Sequence, residues 1–351
     1  MRQLLFLLLF GFAFGKIFRT GPYPLKVNRR LPELGQSRVH YKHDPKDMKL
    51  IETYLMIGSG MQMGDYVVDT IAGDLEVTLC SRNPTPEDGP CYDWSGSYSF
   101  ERRSDHTASD TVLNNHMYIM SNITFATRKA PTSTIGNLGL GGAFSSKYPG
   151  ETSFPLDFLS GSERKKFSLS IGLNDCDSGM DFDGNDMCKE GANTLYLPTS
   201  SSLYWQFSFT QIAFGDLKFA VAAHMVVDTT KEYIGMPRKY LVQFTKAHNI
   251  VWDGLYGAYT VDCEMSKTLP DMVLKVQGGT LTIKAAQYVY TKEKLSNGKC
   301  VLNFEDSKAF GFGPSWYFGV QLLESYCVSF DYDNKKIGFT ENDDGFECTE
   351  H

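Results

Sequence analysis

Short segments in which apolar and polar residues alternate make up most of this chain, and Gly, Asn, Asp and Ser separate them. The segments are rich in β-branched and aromatic residues, which is typical of strands with one buried face. Residues 195–197, 205–209 and 278–283 are clear examples. The pattern predicts a protein built mainly of β-strands.

Helical periodicity is scarce, and residues 238–248 carry its best example. Four apolar side chains of this segment fall on one face of a helix, namely Tyr240, Leu241, Phe244 and Ala247. Pro237 stands directly before the segment and suits the start of a helix. We therefore predict a helix over residues 238–248.

Two apolar strands, 159 residues apart, run into the same dipeptide. Residues 66–70 read Tyr-Val-Val-Asp-Thr, and residues 225–229 read Met-Val-Val-Asp-Thr. Buried strands rarely end on a bare carboxylate, because removing that charge from water is costly unless something pairs with it. The repeat suggests two related halves that each contribute one carboxylate, Asp69 and Asp228. The alternative is two strand-ending acids that cap turns.

The N-terminus carries two distinct segments. Residues 1–15 combine one early positive charge, a short apolar run and a small-residue exit, which predicts a signal peptide. A membrane anchor is the alternative, but the run is shorter than the ~20 residues that span a bilayer. Residues 16–49 are basic and predict either a solvated arm or a prosegment lying over an acidic cleft.

Composition narrows the class of protein. The length of 351 residues allows two or three domains, and the run at residues 199–202 resembles a linker, so we predict β lobes at 50–200 and 201–351. A formal net charge of −7 argues against a nucleic-acid partner. We expect a secreted monomer, extracellular or in an acidic secretory compartment, with no membrane association and no cofactor.

Eight cysteines agree with an oxidising compartment. Their spacing suggests pairing between near neighbours, which gives Cys80–Cys91, Cys176–Cys188, Cys263–Cys300 and Cys327–Cys348. Zinc is the competing interpretation, but no Cys-x-x-Cys occurs and the histidines are scattered, so we expect no metal site.

Two further motifs lie on predicted surface segments. Asn122 begins an N-glycosylation sequon, which suggests a surface loop. An acidic cluster could bind Ca²⁺, although it fails the EF-hand register, and a solvated hairpin tip is the simpler explanation. Its members are Asp175, Asp177, Asp181, Asp183 and Asp186.

The surroundings of the Asp-Thr repeat resemble the pepsin-like aspartic proteases. Residues 57–62 stand where that family has Ile-Gly-Thr-Pro-x-Gln, and residues 138–140 match its Leu-Gly-Leu turn. Residues 316–319 match its Trp-x-Leu-Gly turn. The resemblance covers residues 50 to 342 and implies an all-β, bilobal fold with two pseudo-twofold related lobes, a central cleft and a shared six-stranded sheet.

The resemblance also implies roles for individual residues. Asp69 and Asp228 would form a catalytic dyad acting on an extended peptide. Thr70 and Thr229 would lock the two active loops together. Counting back from the strand at Asp110 places the substrate-covering flap tyrosine at Tyr98.

The loops depart from the family pattern after each Asp-Thr pair. Gly is replaced by Ile71 and Thr230, and the hydroxyl residue that follows is replaced by Ala72 and Lys231. A β-branched residue fits poorly where a backbone needs φ > 0. Lys231 should favour the ionised form of Asp228 and so lower the pKa values of the dyad.

The Trp that supports the first loop in the family is replaced by Glu76. Three hypotheses remain open: an aspartic endopeptidase, a catalytically impaired relative that binds peptide or protein in the same cleft, and a carbohydrate or lipid carrier.

Overall fold

The protein is described here by a computed structural model. It covers strands at 23–24 and 26–27 and then residues 51–81, 89–113, 119–128, 134–142, 145–152, 154–160, 164–172, 178–182, 186–191, 193–308 and 314–342. The predicted signal peptide, Cys176 and Cys348 lie outside these ranges. Within them, no helix is long and apolar enough to cross a membrane.

Strands form most of the first half. They are β1 (Tyr23–Pro24), β2 (Lys26–Val27), β3 (Ile51–Ile57), β4 (Gln62–Asp69), β5 (Leu75–Thr78), β6 (Glu101–Arg102), β7 (Thr107–Leu113), β8 (Ile119–Arg128), β9 (Gly136–Gly139), β10 (Lys166–Ser170), β11 (Gly179–Phe182) and β12 (Leu195–Pro198). Helix α1 (Phe154–Phe158) is a short insertion among them.

The second half continues the pattern with β13 (Gln206–Phe214), β14 (Leu217–Val227), β15 (Ile234–Met236), β16 (Val251–Asp253), β17 (Ala258–Val261), β18 (Met272–Val276), β19 (Gly279–Ile283), β20 (Val289–Tyr290), β21 (Cys300–Leu302), β22 (Phe304–Asp306), β23 (Trp316–Phe318), β24 (Tyr326–Asp331) and β25 (Lys336–Glu341). Its helices are α2 (Arg238–Ala247), α3 (Ala285–Tyr288) and α4 (Val320–Ser325).

These strands form one main sheet in each half and one sheet shared by both. The first half has an eight-stranded sheet in the order β2-β3-β4-β9-β5-β8-β7-β6, and β3 also pairs with β7. The second half has a seven-stranded sheet, β19-β18-β13-β14-β23-β15-β22, and a four-stranded sheet, β16-β17-β21-β20. The shared six-stranded sheet, β1-β11-β10-β24-β25-β12, joins the halves, as the resemblance implied.

The pairing around each Asp-Thr pair is repeated in the two halves. In the first, β4 runs parallel to β9, which is antiparallel to β5, and β5 is parallel to β8. In the second, β14 is parallel to β23, which is antiparallel to β15, and β15 is parallel to β22. The all-β, bilobal, pseudo-twofold architecture expected from the sequence is therefore confirmed.

The element predictions made from periodicity are confirmed. Strands β12, β13 and β19 occupy the three segments of alternating pattern. Helix α2 begins directly after Pro237 and buries Leu241 and Phe244. Local pattern sufficed here because each segment has one apolar face that packs against the core.

Part of the basic N-terminal segment belongs to the sheets. In β1, Tyr23 pairs with Met180, and in β2, Lys26 pairs with Glu52. A solvated arm is therefore wrong for these strand residues, because their backbone completes sheet edges. Whether the segment is a removable prosegment stays a prediction.

Two of the four predicted disulfides are confirmed and two are wrong. Cys80 is bonded to Cys91, and Cys263 to Cys300. The third described bridge joins Cys188 to Cys327, across 139 residues, so the pairs Cys176–Cys188 and Cys327–Cys348 do not form.

The physical reason is strand order. Strand β10 lies between β11 and β24 in the shared sheet. The 3₁₀ turn Asp186–Cys188, which follows β11, therefore packs against β24, the strand that carries Cys327. Sequence distance is a poor guide where a sheet joins two halves.

The two surface predictions are corrected in part. Asp181 is buried in β11, so a solvated hairpin tip is wrong for this residue, while Asp175, Asp177 and Asp183 lie outside the described residues. Within the described ranges, no three or more His, Cys, Asp or Glu side chains form a group suited to a metal ion. The backbone of Asn122 lies in β8 and not in a loop, and its side chain is outside the described part.

Candidate active site

Asp69 and Asp228 occupy equivalent places in the two halves. Asp69 is the last residue of β4, and Asp228 follows the last residue of β14. The Asp69 carbonyl accepts a hydrogen bond from Leu140 N (2.7 Å), and Asp228 N donates to Phe318 O (2.8 Å). Each aspartate retains 8% exposure, so both side chains are buried but reachable.

Thr70 and Thr229 bind the two loops to each other. Thr70 Oγ1 donates to Val227 O at 2.8 Å, and Thr229 Oγ1 donates to Val68 O at 2.7 Å. Thr70 N donates to Thr229 Oγ1 at 3.0 Å, and Thr229 N donates to Thr70 Oγ1 at 3.1 Å. All four bonds connect one half to the other. The arrangement holds the strand ends that carry the two aspartates in a fixed relation.

The carboxylate of Asp69 accepts two backbone N–H groups. Ile71 N donates to Oδ1 at 2.8 Å, and Ala72 N donates to the same oxygen at 3.0 Å. Ala72 offers no hydroxyl in addition. Hydrogen bonds of this kind stabilise the ionised form of a carboxylate.

Asp228 receives its donors from a single residue. Thr230 donates to Oδ1 of Asp228 both through its N–H, at 3.0 Å, and through its hydroxyl, at 2.6 Å. The family pattern places this hydroxyl one residue later, where Lys231 stands, so the sequence did not lead us to predict Thr230 as the donor. The sequence did contain this information, because Thr230 carries a hydroxyl at the position where the family has Gly, whereas Ile71 does not.

The loops tolerate the loss of both glycines. Neither Ile71 nor Thr230 has a positive φ, since the described non-glycine residues with that conformation lie elsewhere. The positive φ that would disfavour a β-branched residue is therefore not needed at these positions. Both residues still present their N–H groups to the preceding aspartate.

In both aspartates the hydrogen-bond donors of the described residues contact one carboxylate oxygen and leave the other, Oδ2, without a donor. Among the hydrogen bonds between described residues, the donors to Asp69 and Asp228 all converge on Oδ1. The Oδ2 atom of each has no donor from this part of the chain.

The electrostatics of the pair favour a retained proton. Burial, opposed by the Thr230 hydroxyl and the Lys231 ammonium and reinforced by the charge of Asp69, raises the pKa of Asp228 to about 6. Burial likewise raises the pKa of Asp69, against the N–H groups of Ala72 and Ile71. Lys231 acts in the expected direction, but desolvation outweighs it, so the predicted net lowering of the pKa is wrong for Asp228.

Glu76 forms an ion-pair cluster behind the first loop. This buried carboxylate pairs with Arg128 and with Lys147. The negative charge of Glu76 contributes to raising the pKa of Asp69, and the positive charge of Lys147 opposes it. The replacement for the family's Trp is therefore an electrostatic neighbour of the site.

Tyr98, the predicted flap residue, lies outside the hairpin formed by β6 and β7. It precedes β6 in a turn, its N–H donates to Ser59 Oγ at 3.0 Å, and its side chain is 94% exposed. The count back from Asp110 assumed a hairpin of the family's length. A role of Tyr98 over bound peptide stays a prediction.

Comparison with known proteins identifies the family. The family model described as eukaryotic aspartyl protease matches residues 92–342, which is more than half of the chain. The chain belongs to the eukaryotic aspartyl protease family. The matched range includes Asp228, whereas Asp69 lies before it.

The individual relatives share limited sequence identity with this chain, over less than half of its length. Aspartic protease 1 of Caenorhabditis elegans is 33% identical over 144 residues, which is 41% of this chain and 36% of that protein. Aspartic protease 17 of the same species is 31% identical over 158 residues, 45% of this chain and 40% of its own length. Gastricsin of Callithrix jacchus is 24% identical over 178 residues, which is 49% of this chain and 45% of that protein. The chain thus spans less than half the length of these curated relatives.

Proposed function

We propose that this protein is an aspartic endopeptidase, active at acid pH, that cleaves extended peptides between bulky apolar residues in the cleft between its halves. Asp69 and Asp228 are the proposed catalytic residues, and the reaction needs no cofactor. The observation that supports this proposal is the common arrangement of the two carboxylates, in which the loop holds Oδ1 and no described residue donates to Oδ2.

The chemistry follows from one shared proton. Two close carboxylates do not both ionise readily, which is the established behaviour of aspartic proteases as a class, so the pair holds a single proton over a range of pH. The ionised member takes a proton from a water molecule while the oxygen of that water attacks the peptide carbon. The protonated member donates its proton to the carbonyl oxygen, which gives a neutral tetrahedral diol.

Breakdown of the diol returns the pair to its starting state. One diol hydroxyl gives its proton to the carboxylate that donated earlier, and the amide nitrogen takes the proton from the other carboxyl as the C–N bond breaks. The products are a carboxylic acid and an amine, and no covalent intermediate is formed. The pKa of about 6 at Asp228 supports a pair that keeps its proton up to that pH.

The interlobe bonds of Thr70 and Thr229 support the same function. General acid–base catalysis by two groups on different halves requires a fixed distance between them. Four buried hydrogen bonds hold the two strand ends, with lengths between 2.7 and 3.1 Å.

A peptide-binding relative without hydrolytic activity is the second candidate. Ala72 gives Asp69 no hydroxyl donor, and the positive charge of Lys231 favours the ionised form of Asp228. Both features weaken acid catalysis and leave the cleft intact. A protein of this kind would bind extended peptides and release them unchanged.

Secretion, or residence in an acidic compartment of the secretory route, fits the proposed activity. Three described disulfides agree with an oxidising environment. Removal of residues 1–15, a prosegment at 16–49, glycosylation of Asn122 and a monomeric state remain parts of this proposal.

The test is proteolysis by the full chain, produced in a secretory host so that its disulfides form. We expect cleavage of an acid-denatured protein below about pH 6 and inhibition by a peptide whose scissile carbonyl is replaced by a secondary alcohol. Asp69→Asn and Asp228→Asn should each abolish cleavage, because a neutral amide cannot accept the proton of the water.

Two outcomes would overturn the proposal. Tight binding of the alcohol peptide without cleavage at any pH would establish the binding protein instead. Cleavage that survives both substitutions would place the activity at another site or in a contaminant.

A further inference from the structure

Tyr317 forms a fixed aromatic surface beside Asp228. Its neighbours in β23, Trp316 and Phe318, are buried in the core, whereas Tyr317 is only partly buried on the opposite face. The ring lies against the backbone of Gly235 in β15, where a Cβ would come within 2.1 Å of a ring atom. Glycine at 235 therefore provides the space for this ring.

The hydroxyl end of Tyr317 is held as well. Tyr317 Oη donates to Oε1 of Glu305, in the neighbouring part of the same sheet. Burial raises the pKa of Tyr317 far above its ordinary value, and the charges of Glu305 and Asp228 contribute. The ring is thus a neutral, immobilised surface at acid pH.

Lys231 extends its ammonium group over this ring. Its Nζ lies 5.6 Å from the centroid of the Tyr317 ring, within range of a cation–π contact. The backbone of Lys231 is anchored on both sides, since its N–H donates to Asp228 O (3.1 Å) and its carbonyl accepts from Val320 N (3.1 Å). The positive charge is therefore held next to the proposed catalytic residue.

The nearby negative charges are already engaged. Glu305 accepts the Tyr317 hydroxyl, and Asp306 pairs with Arg238 at 3.7 Å. Asp228 is held by Thr230. In the part of the chain that the structure describes, Lys231 forms no ion pair with a carboxylate. No described carboxylate is ion-paired with this cation, which leaves it available to a ligand carboxylate.

We propose that Lys231 and Tyr317 form a specificity subsite that binds an acidic side chain of the peptide, Asp or Glu, at a residue close to the scissile bond. The inference rests on the proposed function, since it assigns a substrate class to the same cleft. The substrate carboxylate pairs with Lys231, while the aliphatic part of its side chain packs on the ring of Tyr317.

The subsite has a distinctive pH dependence that comes from the substrate. A Glu side chain in a peptide ionises near about pH 4.3, and only its ionised form pairs with the ammonium group of Lys231. Pairing should therefore strengthen between about pH 3.5 and about pH 5.5, below the value of about 6 at which the dyad loses its proton. The neighbouring carboxylates of Glu305 and Asp306 limit the gain and make a moderate preference the expected one.

The test compares peptides that differ only in Glu or Gln at each position flanking the cleaved bond. For the wild-type protein we expect one position at which kcat/KM favours Glu by about fivefold at about pH 5.5, which is the effect of one favourable ion pair of about 1 kcal/mol. The ratio should fall towards one near about pH 3.5. A structural role of Lys231 would not produce a preference that follows the ionisation of the substrate.

Variants locate the preference. Lys231→Met should remove it, and Lys231→Glu should favour Lys over Gln at the same position. The matched control is Lys239→Met, because Lys239 lies over the Tyr240 ring (4.6 Å) on α2 and should leave the ratio unchanged. Ratios within each variant cancel any change in overall rate.

A binding measurement separates this inference from the proposed function. Affinities of the Asp69→Asn protein for the same peptides, by fluorescence anisotropy, do not depend on hydrolysis. A Glu preference in binding with no cleavage by the wild type would support the subsite and overturn the protease. Equal cleavage and equal binding of Glu and Gln peptides, unaffected by Lys231→Met, would overturn the subsite alone.

Discussion

Thr230 donates two hydrogen bonds to the same oxygen of Asp228, one from its N–H at 3.0 Å and one from its hydroxyl at 2.6 Å. Asp69 receives two bonds as well, but both come from backbone N–H groups. The two aspartates thus occupy equivalent positions in the fold but receive their hydrogen bonds from different kinds of donor. This asymmetry makes several substitutions informative.

Removal of the Thr230 hydroxyl should shift the pH profile of cleavage. The hydroxyl stabilises the ionised form of Asp228, so Thr230→Val should raise the pKa of Asp228 further and move the alkaline limb of kcat/KM up by about one pH unit. Thr230→Ser keeps the donor and serves as the control. Coinciding profiles for the Val and Ser variants would show that the hydroxyl has no such role.

Adding a hydroxyl beside Asp69 should raise activity. Ala72→Ser offers a second kind of donor at a residue that already contributes its N–H, and we expect an increase in kcat of roughly tenfold, the size of one hydrogen bond of about 1.4 kcal/mol. The increase should vanish on an Asp69→Asn background.

Restoring glycine at 71 should not raise activity. Ile71 is not strained by a positive φ and already donates its N–H to Asp69, so Ile71→Gly adds no contact. We expect unchanged kcat and a loss of up to about 1 kcal/mol in the free energy of unfolding. A large gain in activity would instead show that the isoleucine side chain crowds the dyad.

The interlobe bonds should contribute measurably to stability. Thr70→Val and Thr229→Val each leave a buried carbonyl and a buried N–H without a partner, which should lower the free energy of unfolding by about 1–3 kcal/mol. Serine at either position keeps the donor and should cost less.

Because the two side chains contact each other, with 3.4 Å between their Oγ1 atoms, the double variant should lose less free energy of unfolding than the sum of the single losses. Urea unfolding of the wild type, the two single variants and the double variant measures this coupling. Additive losses of free energy of unfolding would show that the two threonines do not act cooperatively.

Asp228 should make the protein less stable as pH rises. Its pKa lies at about 6 in the folded protein against 3.8 for an ordinary Asp, so the folded state binds this proton more tightly. The resulting stabilisation is complete below about pH 3.8 and is lost as pH rises through about 6. The difference corresponds to roughly 3 kcal/mol.

Urea unfolding near about pH 4 and about pH 7 tests this dependence. Asp228→Asn should lose less free energy of unfolding over that interval than the wild type, because its amide does not titrate. The control is Asp216→Asn, which removes an exposed carboxyl in the turn between β13 and β14. Equal slopes for the wild type and Asp228→Asn would contradict the raised pKa.

The bridge between Cys188 and Cys327 should stabilise the fold more than a local one. It closes 139 residues, whereas Cys80–Cys91 closes 11. Chain entropy predicts losses of about 5 and about 3 kcal/mol when each pair is replaced by Ser. Peptide mapping without reduction should recover Cys188 joined to Cys327, and any other partner of Cys188 would contradict the described pairing.

The sequence by itself determined the strand segments 195–198, 206–214 and 279–283, the helix after Pro237 and the two Asp-Thr strand ends. These features are local, because one apolar face or one strand-ending carboxylate is visible within a few residues. The joint order of several weak motifs also identified the fold. Which donors reach each carboxylate is not visible in the sequence, because that depends on the path of each loop.

Tertiary structure alone decided the partners of residues that are distant along the chain. Cys188 meets Cys327 because β10 lies beside β24, and strand order is set by packing of the whole sheet and not by spacing. The hydroxyl of Thr230 reaches Asp228 because the loop turns back on itself, so a residue that departs from the family pattern makes a supporting contact. Side-chain direction and strand order depend on contacts across the whole fold, and these are what a linear pattern does not contain.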